Sequence, residues 1–339
     1  MTVSGTAPAV SVLLPVRDGG IPLYEAIDSM SSQTFGDFEV MAVDDGSADG
    51  TYEVLDEWSE RDARVRVIRQ EPAGIVAALE RARSAARGRY LARMDSDDVA
   101  HPSRLEKQLA LLESDSLVGC GCAVEYFPAA SVGEGARRYE RWINAAVSHE
   151  EISREMFVEC PLAHPTFFMR ADAVADVGGY RDRGWPEDYD LILRLWARGG
   201  RLGKVPETLL RWREGPDRLS RNDRRYAPEA FLQCKVYHLR RTLLRDRDRV
   251  VIWGAGPIGK ALGVALIDAG TELVAYVEVD PRKVGQDIHG ARVVDTEAGL
   301  SIRDVLHLAA VGQAGAREHL RATLGGAGLR EMEDFVAVA

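Results

Sequence analysis

The sequence predicts an α/β protein in two parts: a larger domain on a mixed central sheet and a smaller βαβ domain after it. Three observations carry that expectation. Short β-branched runs alternate with helical patterns over the first hundred residues, which predicts a mostly parallel sheet with helices on both faces. Three of those strands run straight into clusters of carboxylates. Far downstream, a glycine-rich turn at 254–259 opens a second strand–turn–helix unit.

In chain order, residues 10–16 read as a buried strand and 22–32 as a helix. Residues 38–43 form the second strand and 51–60 the second helix, followed by a third strand at 65–68. An Ala-rich helix spans 74–87, and 90–94 is the fourth strand. Residues 102–113 read as a helix with Pro102 in its first turn, where the missing N–H costs nothing. The order is less regular between 118 and 186, as mixed strands and loops would be. A long helical segment at 226–244 leads to the strand beginning at 249–251, with the boundary near 246–249.

Composition narrows the functional classes. The chain has 339 residues and a formal net charge of −10, with 46% hydrophobic and 28% charged residues. That describes an ordinary folded protein, and the acidic balance argues against nucleic acid as a partner. The charge is uneven: residues 1–200 carry net −13, residues 201–249 net +7, and residues 250–339 net −4. Four cysteines without a C-x-x-C pair suggest reduced thiols, so neither a disulfide framework nor structural zinc is expected. The first residues lack the basic and apolar regions of a signal peptide. No run of about 18 apolar residues is present, so the expected location is cytoplasmic, compatible with peripheral membrane contact.

The polar groups at strand ends point to chemistry. Val16 leads into Arg17-Asp18, Val43 into Asp44-Asp45-Gly46-Ser47, and Met94 into Asp95-Ser96-Asp97-Asp98. In open α/β sheets ligands bind beyond the carboxyl ends of strands, so these clusters should converge. Asp95, Asp97 and Asp98 would repel one another without a cation, and oxygen-only ligation selects Mg²⁺ or Mn²⁺. An acidic loop capping the next helix is the plainer alternative. For the adjacent pair, Asp44 is expected to brace its turn while Asp45 faces the crevice and accepts hydrogen bonds from a base or ribose.

The chain to about residue 222 resembles family 2 glycosyltransferases with the GT-A fold. The matching pieces are Val12-Leu13-Leu14-Pro15-Val16-Arg17, Ser32-Gln33-Thr34-Phe35, Phe38-Glu39-Val40 and Asp44-Asp45-Gly46-Ser47. They continue with Ala92-Arg93-Met94-Asp95-Ser96-Asp97-Asp98, His164-Pro165-Thr166, Gly178-Gly179-Tyr180 and Glu187-Asp188-Tyr189-Asp190-Leu191. The resemblance implies Pro15, Arg17 and Asp45 around a nucleotide base, Asp95 and Asp97 near the ribose, Arg93 close by, and Asp98 on a divalent metal. It implies inverting transfer of a sugar from a nucleotide diphosphate, with UDP the favoured nucleotide, to a glycan or lipid-linked acceptor.

Residues 186–196 have helical periodicity. Asp188, Leu191, Ile192 and Leu195 share the inward face, while Glu187, Asp190, Arg194 and Arg198 are expected to face water. Asp188 is either a helix cap or a catalytic group. The resemblance makes it the general base. Glu187 and His164 are candidates for the acceptor side, His164 reading equally as a structural histidine. The segment 211–221 resembles a loop that closes over donor phosphates, with Gly215 where many relatives carry histidine. Arg211, Arg213, Arg218 and Arg221 could supply phosphate contacts there, or form a solvated basic face.

In the C-terminal unit, Gly254, Gly256 and Gly259 follow a strand and open a helix, and Glu278 and Asp280 end the next strand. That is the context of a dinucleotide fingerprint. The unit resembles small Rossmann-like domains that precede sugar acyltransferases, and a sensing or assembly role is expected over a dehydrogenase. NAD(H) or a nucleotide is its candidate ligand. The expected domains are therefore 8–222 (GT-A), 223–248 (helical connector) and 249–339 (Rossmann-like), in a chain compatible with a homo-oligomer. The alternatives are an NAD-dependent sugar oxidoreductase and a non-catalytic nucleotide-sugar sensor.

Overall fold

The computed structural model describes residues 7–216 and 218–339. Its contacts divide the chain into two units. The first holds the residues up to His149, with Leu162–Arg183 and Asp190–Asn222; the second holds Glu150–Pro161, Gly184–Tyr189 and Asp223–Ala339.

The first unit is built on eight strands: β1 (Val10–Val16), β2 (Phe38–Asp45), β3 (Val65–Gln70), β4 (Tyr90–Arg93), β5 (Val99–Ala100), β6 (Gly119–Phe127), β7 (Phe168–Arg170) and β8 (Leu202–Arg213). They lie in the order β3-β2-β1-β4-β7-β6-β8-β5. The alternating first part gives the parallel run β3, β2, β1, β4, as crossover helices require. The irregular part adds β7 antiparallel to β4 and β6, and β8 parallel to β6, so the sheet is mixed. Val10, Leu14, Val40, Ala42 and Phe168 are buried between the layers.

Two of the boundaries that differ from the sequence reading bear on the site. β2 runs on through Asp44 and Asp45, which pair with Arg69 and Gln70 of β3. The helix expected to start at Pro102 spans Arg104–Ser114 instead. Its approach is held in a turn because Thr34 N donates to Pro102 O at 2.9 Å and Gln33 Nε2 to His101 O at 2.9 Å. Leu105 N in turn donates to Gln33 Oε1 at 3.2 Å. The Ser32-Gln33-Thr34-Phe35 motif thus pins the far end of the acidic segment.

The second unit carries β9 (Arg249–Trp253), β10 (Glu272–Val277), β11 (Asp287–Ile288), β12 (Ala291–Val294), β13 (Leu306–Ala309) and β14 (Phe335–Ala337), ordered β11-β12-β10-β9-β13-β14. All neighbours are parallel except the short β11–β12 hairpin. Helix Pro257–Asp268 connects β9 to β10, and Val251, Trp253, Val277, Leu324 and Phe335 form the core. The long helix expected at 226–244 is Pro228–Arg241, preceded by a short turn at Arg224–Tyr226. Pro228 sits where its missing N–H is harmless.

Gly46 follows the β2 carboxylates at φ +70°, and a Cβ there would lie 2.5 Å from the Pro72 ring. Only glycine lets the turn after β2 approach the loop after β3 this closely. Gly46→Ala is therefore expected to cost about 1–3 kcal/mol, read as a lower urea midpoint for the first unit.

Candidate functional site

The site is assembled where β1, β2 and β4 end. Pro15 is partly exposed at the end of β1 and Arg17 is exposed just beyond it, 3.9 Å from Asp18. The loop after β1 is sewn to the loop after β2. Asp18 N donates to Ser47 Oγ at 2.9 Å, Ala48 N to Asp18 Oδ1 at 2.8 Å, and Gly19 N to Thr51 Oγ1 at 2.8 Å.

Asp44 accepts from Ser47 N at 3.1 Å, the bracing expected of it. Asp45 braces as well, which the sequence reading did not expect. Its Oδ1 accepts from Gln70 Nε2 and Ala73 N, and its Oδ2 from Gly74 N, each at 2.8 Å. The pleat turns the two carboxylates to opposite faces, and the 70–74 loop crosses the face that Asp45 occupies. Oδ2 takes one of these bonds and keeps acceptor capacity.

Beyond β4, Asp95, Asp97 and Asp98 each place a carboxylate oxygen within 4.8 Å of the others. Asp95 pairs with the buried Arg93. Asp98 is 1% exposed, and its Oδ1 accepts from Arg213 N at 2.7 Å. Among the described residues its buried Oδ2 has no hydrogen-bond partner. Burial, then the neighbouring Asp97, pushes the Asp98 carboxyl up to about 7, against the Arg213 amide and the Arg218 and Arg93 charges. Three hard oxygen donors, one of them a buried orphan, fit a divalent cation such as Mg²⁺ or Mn²⁺.

β8 supplies the basic side. Arg213 donates Nε to Asp97 O at 2.6 Å and an Nη to Glu25 at 2.8 Å, while Arg211 and Arg213 each lie 4.3 Å from the Phe127 ring centre. Arg218 and Arg221, expected either to contact phosphate or to form a solvated basic face, both pair with the buried Glu214 in this structure.

The expected base lies at the start of helix Glu187–Ala197. Its apolar stripe, Leu191, Ile192 and Leu195, is buried as expected. Its acidic neighbours depart from expectation, because Glu187 and Asp190 are buried rather than facing water. Tyr226 donates its hydroxyl to Glu187 at 2.8 Å, and Asp190 pairs with Arg194 at 2.7 Å. Those partners offset the burial. Asp188 is partly exposed and accepts from Tyr189 N at 2.7 Å. His164 is 8% exposed, with Nε2 3.3 Å from the Tyr180 hydroxyl. Burial, then Arg93, holds its pKa well below the ordinary value, so it packs as a neutral ring.

In the second unit, Gly254 has φ +110°, and a Cβ on Gly259 would lie 1.9 Å from Gly254 O, so both glycines serve close packing of turn and helix. A Cβ on Gly256 would meet nothing within 4 Å. Glu278 accepts from Lys283 Nζ at 2.9 Å and from Ala255 N at 3.3 Å, while Asp280 pairs with Arg282 at 2.8 Å. Both carboxylates that end β10 are thus engaged by neighbours.

Sequence reasoning missed Arg104 and Gln108. They lie beside the apolar stripe of Leu105, Leu109 and Leu112, where periodicity alone suggests an exposed pair, yet both are buried. The available signal was Gln four residues after Arg next to that stripe.

An eight-stranded mixed sheet with carboxylates gathered beyond its parallel strands defines the GT-A class of transferases. The chain belongs to the glycosyltransferase family 2: the family model described as "Glycosyl transferase family 2" matches residues 11–178. EpsE of Bacillus subtilis (strain 168) is 34% identical over 230 residues, covering 66% of this chain and 79% of the relative. The fold is similar to that of S. aureus TarS 1–349 in complex with UDP-GlcNAc, at 16% identity and TM-score 0.56, covering 68% of this chain and 66% of that one. It is also similar to the mannosyltransferase PcManGT from Pyrobaculum calidifontis in complex with GDP-Man and Mn²⁺, at 18% identity and TM-score 0.51, covering 78% and 75%.

The Asp98 shift has a measurable consequence. An unfolded aspartate ionises near 3.8 and the folded one near 7, so the metal-free fold binds the extra proton between those values and loses stability as pH rises across them. Asp98→Asn removes that charge while keeping the oxygen that accepts from Arg213. It is expected to melt about 2–4 °C above the wild type at pH 8 without metal, and to lose any stabilisation by Mn²⁺. A calorimetric scan with and without MnCl₂ checks both.

Proposed function

We propose that the protein is a metal-dependent, inverting, hexosyl-type glycosyltransferase of glycan or polysaccharide assembly. It would take a nucleotide-diphosphate sugar as donor and a hydroxyl of a glycan or lipid-linked acceptor. The observation that carries the reading is the buried, unpartnered Oδ2 of Asp98 beside Asp95 and Asp97. An orphan carboxylate oxygen is costly to keep, and a divalent cation would satisfy it.

Asp98, with Asp95 and Asp97, would hold Mn²⁺ or Mg²⁺, which when bound supplies positive charge to the leaving diphosphate. Arg211 and Arg213 add fixed cations from β8, and Asp45 with Pro15 and Arg17 would meet the base and ribose. Asp188 would take the acceptor hydroxyl's proton as that oxygen bonds to the anomeric carbon. The bond from that carbon to the diphosphate oxygen breaks, and the diphosphate leaves with the electron pair. General-base help of this kind is typically worth about 10²–10⁴-fold. Solvent access at Asp188, against the burial of Glu187 and Asp190, supports it as the base. Among the described residues no helix is long and apolar enough to cross a membrane.

A thermal-shift screen of UDP- and GDP-sugars with Mn²⁺ tests the donor. A true donor at 100 times its Kd should stabilise the protein by about 2.7 kcal/mol, and EDTA should remove the effect. If no nucleotide sugar shifts the melt or is turned over with either metal, the reading is wrong. Asp188→Asn is expected to bind donor and Mn²⁺ as the wild type does while transfer falls by at least about 10²-fold. Unchanged kcat in that variant would remove Asp188 from the mechanism.

A further inference from the structure

We propose that Arg104, supported by Gln108, is a positioning residue that sets the metal affinity of the Asp95–Asp97–Asp98 cluster. The proposal rests on the metal reading above and concerns residues that the resemblance does not assign.

Arg104 is 1% exposed, a guanidinium sealed inside the first unit. Among the described residues its side-chain hydrogen bonds go to neutral groups: Nε to Gln108 Oε1 at 3.0 Å, Nη1 to Met94 Sδ at 3.3 Å, and Nη2 to the carbonyl oxygen of Arg93. A buried cation without a hydrogen-bonded carboxylate is expensive, and a fold keeps one where its charge or its geometry is needed. Both needs are visible here.

The geometric need is the path of the chain into the acidic cluster. Arg93 and Met94 are the last two residues before Asp95. Their backbone amides are held as well, Arg93 N donating to Phe167 O at 2.7 Å and Met94 N to Leu13 O at 3.1 Å. Arg104 grips the same two residues with its planar fork. Gln108 fixes that fork from one helical turn on, and its own Nε2 donates to Thr166 O at 2.8 Å. One buried strut therefore joins β4, the helix after the cluster and the His164-Pro165-Thr166 segment.

The electrostatic need is charge balance. Burial works against the Arg104 charge, and the ionisable groups acting on it include Cys122, Asp98, Arg93 and Cys120. Burial drives both thiols upward, so they stay neutral, and Arg93 is repulsive. Asp98 is the carboxylate of that set. Residues that orient a metal's carboxylates from behind typically control its affinity about 10–100-fold.

The test uses the full chain and Mn²⁺ alone, with free and bound ion counted by electron paramagnetic resonance. Arg104→Lys keeps the charge and loses the planar fork; Arg104→Met loses both at similar volume. Both are expected to bind Mn²⁺ about 10–100-fold more weakly than the wild type. Metal-free melting and far-UV circular dichroism report whether each variant is folded. A folded Arg104→Lys with wild-type Mn²⁺ affinity overturns the proposal while leaving the metal reading intact. A wild type that binds no Mn²⁺ overturns both. Should the Arg104 variants not fold, Gln108→Leu withdraws the support of the fork and must shift the affinity in the same direction, or the proposal fails.

Discussion

Three carboxylates held together beyond β4 are the constraint around which the first unit is organised. Like charges at this spacing repel, and Asp98 is almost fully buried, so the arrangement survives only because its surroundings answer it. Arg93 pairs with Asp95, the Arg213 amide and guanidinium hold Asp98 and the Asp97 carbonyl, and Arg104 lies behind. These cations come from β4, β8 and the helix after the cluster. The sheet order that brings β8 beside β5 and β6 is therefore also what answers the charge.

The same constraint accounts for motifs that lie scattered along the sequence. Gln33 and Thr34 carry no chemistry themselves. They hold the turn at His101 and Pro102, which fixes where the acidic segment ends. Asp44, Asp45 and Gly46 lock the loops after β2 and β3 together, with Gly46 chosen because a side chain would strike Pro72. Tyr180 is held from helix Ile75–Ala85, where Glu80 accepts from its backbone N at 2.6 Å. Most of these polar residues act on backbone.

The uneven charge noted in the sequence gains a more specific meaning. The acidic excess of the first 200 residues includes a cluster that fits a cation. The basic stretch that follows is only partly free: Arg213 is committed to the cluster, and Arg218 and Arg221 to Glu214. A count of arginines therefore overstates the positive charge ready to meet a phosphate.

The sequence alone determined the alternation of strands and helices and the acidic cluster, whose oxygen donors suit a hard cation. Those follow from local periodicity and from the chemistry of a few adjacent side chains. It was silent about Arg104, and it set Glu187 and Asp190 facing water, because a charged residue reads as exposed until its partner is known. For Glu187 and Arg104 that partner, Tyr226 or the Arg93 carbonyl, lies on another element, while Asp190 pairs with Arg194 on its own helix and is buried with it by what packs around them. The role of Asp45 diverged for the same reason: the loop that occupies its carboxylate is brought there by the pairing of β2 with β3. Burial of a charge is decided by what the fold places against it, and only the tertiary structure supplies that.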